Sequence, residues 1–256
     1  MNKQNLHIVM NAKGGVGKSF ISALLLEYLS ENNNAIGIDT DPNNHSLSDI
    51  ESLDVTFLNI MPEGNEVDLK KFDDLTMYLL ENEKTKNKDV VVDIGATTFT
   101  PFFQYVNESS IFEILNQTYN IFVSIPVAVG SEAEADCLVG LENMITAFKD
   151  TCTFVVWSNE FFSSSGGHSI EELPQYAEYK EKIFAVVLMR KRDVLFSTAI
   201  EKMKKAKKIF SDVPMDKSFN LLDTSRLLKV KKDYFEMLSS IIPTGSSTTK
   251  KEENKK

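Results

Sequence analysis

Nine residues near the amino terminus, Asn11-Ala12-Lys13-Gly14-Gly15-Val16-Gly17-Lys18-Ser19, hold two lysines, three glycines and a hydroxyl. Glycines at 14, 15 and 17 let the backbone curl until its N–H groups point inward, and a helix beginning near Lys18 aims its positive dipole end at the same spot. A polyphosphate fits such a cradle. Lys18 would reach the β- and γ-phosphates, and the Ser19 hydroxyl would be a direct Mg²⁺ ligand. Lys13 is surplus to that task. It is either a solvated loop residue or a cation with another destination.

Three further groups could share the chemistry. Asp39-Thr40-Asp41-Pro42 follows an apolar run. Asp-Pro often simply opens a turn, but beside a phosphate cradle the two carboxylates also read as a metal site, with Asp39 supporting the Mg²⁺ shell. Val90-Val91-Val92-Asp93-Ile94-Gly95 is an apolar strand ending in an aspartate. Asp93 would hold Mg²⁺ through water, and Gly95 would free the backbone to respond to a γ-phosphate. Asn159 follows a third apolar run, and its amide offers a donor and an acceptor side by side, matching N7 and N6 of adenine. A turn-forming asparagine is the competing reading. No Asn-Lys-x-Asp guanine reader occurs, which favours ATP over GTP.

The loop Lys13-Gly14-Gly15-Val16-Gly17-Lys18-Ser19 resembles the deviant Walker A loop of the ParA/MinD ATPases. That resemblance implies that Gly14, Gly15, Val16, Gly17, Lys18, Ser19 and Phe20 bind ATP or ADP. It also implies that two subunits sandwich two ATP molecules, Lys13 of each reaching the phosphates held by the other. A cation delivered in this way is worth roughly 10³ to 10⁵ in rate. Asp41, preceding Pro42, is similar to the family's switch I aspartate and would position the attacking water. Val90–Asp93 is similar to Walker B, leading into switch II; the family usually has prolines after this aspartate, where this chain has Gly95-Ala96-Thr97-Thr98-Phe99-Thr100-Pro101.

These motifs, with Phe20, Phe99, Pro101 and Val155-Val156-Trp157-Ser158-Asn159, are together similar to the TraL group of conjugative-plasmid proteins. The likeness implies a ParA-like ATPase acting with a relaxosome or type IV secretion apparatus. The alternatives are a plasmid-partition ATPase on DNA, a MinD-like membrane switch, and a scaffold whose nucleotide is structural. The polar stretch Thr244–Lys256 argues against a terminal amphipathic membrane helix, and isolated Cys137 and Cys152 argue against an iron–sulfur carrier. ATP-dependent ligases share this fold.

The elements that must position these residues follow from hydrophobic patterning. Leu6–Met10, Ala35–Asp39, Val55–Ile60, Asp89–Ile94, Ile121–Ile125, Thr153–Trp157 and Ile183–Met189 read as strands alternating with helical patterns, most of them apolar on both faces. This predicts an α/β fold: a mostly parallel sheet with helices on both faces and ligands at the carboxyl ends of the strands. Phe20–Leu29 reads as an amphipathic helix and Phe219–Ile242 as a last helix, with residues 1–242 forming one ATPase domain and 243–256 a disordered polar tail. At 256 residues, with 42% hydrophobic and 25% charged residues, one large soluble domain is expected. Nothing approaches a membrane span or signal peptide, so a cytoplasmic location and no membrane insertion are expected.

The net charge of −9 is uneven. Arg190–Glu236 carries 13 Lys/Arg against 7 Asp/Glu and the tail is +2, which leaves the first 189 residues at −17. The densest cluster, Lys202, Lys204, Lys205, Lys207 and Lys208, lies in a segment that reads as a helix. It is either a solvated face or a sequence-independent contact to DNA phosphates, with no interleaved aromatic to stack bases.

Overall fold

The computed structural model describes residues 3–32, 34–60, 68–161, 163 and 169–242. The expected tail, 243–256, lies outside the described residues. The seven segments that read as strands all form strands: β1 (Gln4–Val9), β2 (Ala35–Asp39), β3 (Val55–Phe57), β4 (Asp89–Asp93), β5 (Tyr119–Val127), β6 (Thr153–Asn159) and β7 (Ile183–Met189). They join in one sheet of order β3-β2-β4-β1-β5-β6-β7, every pairing parallel. All carboxyl ends therefore share one edge, where the phosphate loop, Asp39, Asp93 and Asn159 emerge.

Helices cover both faces because the strands are apolar on both. Even-numbered side chains of β1 and β4, such as Leu6, Ile8, Val90 and Val92, pack under α2 (Lys70–Glu81), α3 (Phe99–Glu108), α4 (Ile111–Leu115), α5 (Glu134–Phe148) and α6 (Pro174–Tyr179). On the opposite face Val9, Val91, Trp157 and Val187 pack under α1 (Lys18–Asn32), α7 (Val194–Lys205) and α8 (Leu221–Ile241).

Two elements differ from the reading of their residues. β3 stops at Phe57, short of the expected Ile60, because its partner β2 ends at Asp39, whose carbonyl takes the last rung from the Leu58 N–H at 2.9 Å. The helix expected to be amphipathic, α1, is buried on nearly every side from Ile21 to Leu29. Its one acidic core position, Glu27, is 2% exposed, and it accepts hydrogen bonds from the N–H groups of Phe210 (3.2 Å) and Ser211 (2.9 Å) and from the Ser211 hydroxyl (2.8 Å). The Lys231 ammonium lies 3.3 Å from the same carboxylate. Glu27 thus fastens the turn after α7 over α1, which closes the face that periodicity alone leaves polar.

Candidate functional site

The loop between β1 and α1 is held open by Asn11, a residue whose type gave no signal in the sequence. Its side chain is fully buried, donates to the Pro126 carbonyl at 2.9 Å and accepts from the Lys13 N–H at 3.0 Å. One amide thereby pins the start of the loop to the end of β5. Gly15 (φ 76°) and Gly17 (φ 102°) then take left-handed conformations that side-chain-bearing residues rarely adopt, while Val16 between them is buried. The Ile21 N–H already reaches the Gly17 carbonyl at 3.0 Å, so the amides of Lys18, Ser19 and Phe20 are the free donors of the first helical turn.

The two lysines of the loop part company. Lys18 is 8% exposed and donates to the Lys13 carbonyl at 2.8 Å, folded inside its own loop. Burial lowers its pKa, which the carboxylates of Asp93 and Asp41 partly offset. Lys13 points the other way: its ammonium meets Asp136 on α5 at 2.8 Å, with both side chains well exposed. The hydrogen bond and charge of Asp136 raise the Lys13 pKa.

Asp93 ends β4 beside this loop and is 2% exposed. Burial pushes its carboxyl up to about 7; the Ser19 hydroxyl opposes the rise, Asp39 adds to it, and Ser22 and Lys18 oppose it. Asp93 Oδ1 and Ser22 Oγ nevertheless remain buried with no hydrogen-bond partner of acceptable geometry among the described residues. Orphaned buried oxygens are costly, and Asp93 stands beside the hydroxyls of both Ser19 and Ser22. The donor set, a carboxylate with hydroxyls beside a phosphate cradle, fits a hard divalent cation such as Mg²⁺. Asp39, expected to support the Mg²⁺ shell, is engaged by the chain that follows it while its charge is felt by Asp93. Its Oδ1 accepts from the Asp41 N–H at 3.0 Å, and its Oδ2 from Leu47 at 3.2 Å and Ser48 at 2.9 Å. Three backbone donors on one carboxylate make it the anchor of the segment that follows β2.

Asp41 sits on that segment, its Oδ1 accepting from Asn43 (2.9 Å) and Asn44 (3.2 Å), and it borders the cleft above the phosphate loop. Gly95 passes so close that a Cβ there would stand 3.0 Å from Asp41 Cγ and 3.1 Å from its Cα. The glycine is required for this approach, at φ −59°, rather than for unusual backbone freedom. The residues after it form a tight turn (Ala96–Thr98) that runs directly into α3, with the Thr98 hydroxyl on the Gly95 carbonyl at 2.9 Å.

Asn159 is the last residue of β6 rather than a residue beyond it, and is 2% exposed. Its Nδ2 donates to the Val16 carbonyl at 3.0 Å and its Oδ1 accepts from the Phe161 N–H at 3.0 Å. It lines the same cleft, of about 850 Å³, as Gly14, Lys18, Ser19 and Asp41. That volume is for the whole cleft, which continues along α1 to the end of α7, and it falls in the range of small-molecule sites.

The lysine cluster divides. Lys202 pairs with Asp223 at 2.7 Å and lies 4.9 Å over the Phe219 ring, while Lys207 pairs with Asp49 at 2.7 Å. Lys204, Lys205 and Lys208 border the cleft. Only Lys202, Lys204 and Lys205 belong to α7, which is capped by Ala206; Lys207 is left-handed (φ 53°) and, with Lys208, lies past the helix.

Comparison with known proteins agrees with this geometry. The chain is 28% identical over 239 residues to protein TraL of Escherichia coli, covering 92% of this chain and 97% of TraL. It is similar in fold to the MinD cell division protein of Aquifex aeolicus (TM-score 0.52, 14% identity, covering 92% of this chain and 97% of that one). It is similar also to a nucleotide-binding protein of Archaeoglobus fulgidus in complex with ADP (TM-score 0.51, 15% identity, covering 80% and 86%). The model of the CobQ/CobB/MinD/ParA nucleotide binding domain matches residues 7–228, and with the glycine cradle, the buried Lys18 and the orphaned Asp93 all inside that span, the chain belongs to this family.

Proposed function

We propose that the protein is an ATP-binding and ATP-hydrolysing switch of one domain, residues 1–242, that dimerises around two ATP molecules and acts in conjugative plasmid transfer in the cytoplasm. The observation that carries the reading is the divergence of the two lysines. Lys18 is enclosed in its own loop, whereas Lys13 projects to an exposed pairing with Asp136, which supports a role for it outside its own phosphate loop. The transfer role rests on the similarity to TraL.

In this reading the amides at the α1 N-terminus and Lys18 hold the β- and γ-phosphates. Ser19 and Asp93 hold Mg²⁺, which supplies neutralisation of the phosphate charge when bound. Asp41 orients the attacking water, since phosphoryl transfer depends on position and charge more than on a strong base. Asn159 keeps a second amide hydrogen and a second lone pair beyond its bonds to Val16 and Phe161, enough to read an adenine edge while steadying the loop. Lys13 from the partner subunit meets the charge developing on the transferred group.

DNA contact as in a partition ATPase is the weaker of two readings, because Lys202 and Lys207 are neutralised by carboxylates and the rest border a concave cleft. Among the described residues no helix is long and apolar enough to cross a membrane.

Size-exclusion chromatography with ADP, with ATP, and with ATP plus Mg²⁺ tests the switch. The dimer is expected only with ATP. Lys13→Ala should bind nucleotide with unchanged affinity, stay monomeric, and lose about 10³-fold or more in turnover. A Lys13→Ala protein that hydrolyses ATP at the wild-type rate overturns the reading.

A further inference from the structure

The cleft continues past the nucleotide site. From the phosphate loop it runs along α1, floored by apolar side chains such as Ala23, Leu24 and Met203, to the far end of α7. One wall is the segment after Asp41, with Asp49 and Ile50; the other is α7 and the turn that follows it. On this second wall and on the elements beside it, the end of β7 and α8, the cations are not all committed. Arg190, Lys204 and Lys205 are exposed and make no ion pair among the described residues, whereas Arg192, Lys202, Lys207 and Lys231 are each paired. Lys208 lies within the field of Asp216. The carboxylates in the arm do not cancel these charges: Glu27 is engaged by the turn over α1, Asp49 by Lys207, and Glu201 alone remains on the rim.

We propose that this arm is a docking slot for an acidic, apolar-studded segment of a partner protein, whose carboxylates pair with Arg190, Lys204 and Lys205 while its apolar side chains lie on the α1 floor. Charge complementarity selects the occupant. The chain's own last residues, Lys250–Lys256, are net +2 and are repelled. Along the α1 floor single-stranded nucleic acid meets no free ring, because Phe20 is packed edge-on against Phe210 and Tyr234, each at 6.2 Å, and the other lining ring, Phe161, stands at the β6 end of the cleft beside Asn159. A duplex meets the wrong shape, since its phosphates need cations on an open surface and these border a slot. The occupied slot would touch the nucleotide machinery, for the Lys207–Asp49 pair joins its two walls and Asp49 belongs to the segment that carries Asp41. A carboxylate arriving near Lys207 competes with Asp49. The proposal depends neither on ATP turnover nor on dimerisation.

Fluorescence anisotropy tests it on the full-length protein with AMPPNP, using a fluorescein-labelled peptide that repeats Glu-Glu-Leu. Lys204→Glu with Lys205→Glu should weaken peptide binding by about tenfold or more, with AMPPNP affinity unchanged. Asp49→Asn, which frees Lys207, should tighten it about two- to threefold, a gain that misfolding does not produce. Unchanged peptide affinity in both variants overturns the proposal. So does tighter binding of a labelled oligo-dT than of the peptide, or loss of self-association in the Lys204/Lys205 variant, which would make the slot a contact between copies of this chain.

Discussion

His7 and Asp93 occupy neighbouring strands, His7 opposite Val91 and Asp93 opposite Val9, and both are buried. Burial moves each against its charged form, His7 down to about 4 and Asp93 up to about 7. Their surroundings differ in kind. Asp93 stands at the carboxyl edge among Lys18, Ser19 and Ser22, its Oδ1 unpartnered toward the phosphate loop. His7, two residues deeper, stacks on Phe122 at 5.0 Å with its Nε2 unpartnered. The same desolvation therefore has two meanings. At the edge it falls on a carboxylate flanked by hydroxyls at the phosphate loop, the place proposed for Mg²⁺, and in the interior it is only a cost of packing a heteroaromatic ring into an apolar layer.

Asp93→Asn breaks this contrast most sharply. The neutral amide is a weaker ligand than a carboxylate and brings no negative charge to the cation, so Mg²⁺-dependent turnover should fall by about 10²- to 10³-fold. The unliganded variant should melt no lower than wild type, because a neutral amide is easier to bury than a carboxylate. Calorimetry without ligand and phosphate release with Mg²⁺ read the two sides; a variant that loses stability and keeps turnover makes Asp93 a structural residue.

His7 should show its cost only in acid. The ring folds neutral, so its contribution is intact above the unfolded pKa of about 6.5 and is lost as pH falls toward about 4. That loss amounts to about 3 kcal/mol across the window. Urea unfolding at pH 7 and at pH 4 measures it. The His7→Leu protein should lose about 3 kcal/mol less over the same interval than wild type, and equal losses would show that His7 does not charge in that window.

At the edge again, Gly95→Ala places a methyl 3.0 Å from Asp41 Cγ and 3.1 Å from its Cα. Relief requires one of the two segments to move, at about 1–3 kcal/mol. Turnover should drop by about tenfold or more as Asp41 shifts, with nucleotide binding nearly intact. Equal turnover would remove Asp41 from the water-orienting role.

Much of this was legible in the residues, and what was not has a common cause. Strand spans follow from runs such as Val90-Val91-Val92, and the phosphate loop from three glycines before Lys18, because these signals are local. The Asn11 bond to Pro126, the three amides on Asp39 and the Glu27 clamp on Ser211 join positions far apart in sequence or depend on a loop's path, and no periodicity encodes them. Gly95 shows the distinction: its presence was visible, but the reason, the approach of Asp41, exists only in three dimensions. The lysine cluster shows it too, since five similar residues acquire different partners only when α8 and the segment after Asp41 arrive.

Lys207 extends the contrast to the smallest scale. It takes φ 53° where helices usually end in glycine, with the Lys208 N–H closing back on the Met203 carbonyl at 3.2 Å. A lysine there is strained, and the only return within the described residues is its 2.7 Å pair with Asp49, both side chains substantially exposed. Exposed pairs contribute about 0–1 kcal/mol, and removing a Cβ from a left-handed position returns about the same or slightly more. Lys207→Gly should accordingly be neutral to stabilising by about 0.5 kcal/mol, read from the urea midpoint. A loss greater than about 1 kcal/mol would mean that the pair holds the Asp41 segment in place, which would put Lys207 with Asp93, among features retained for the site, rather than with His7.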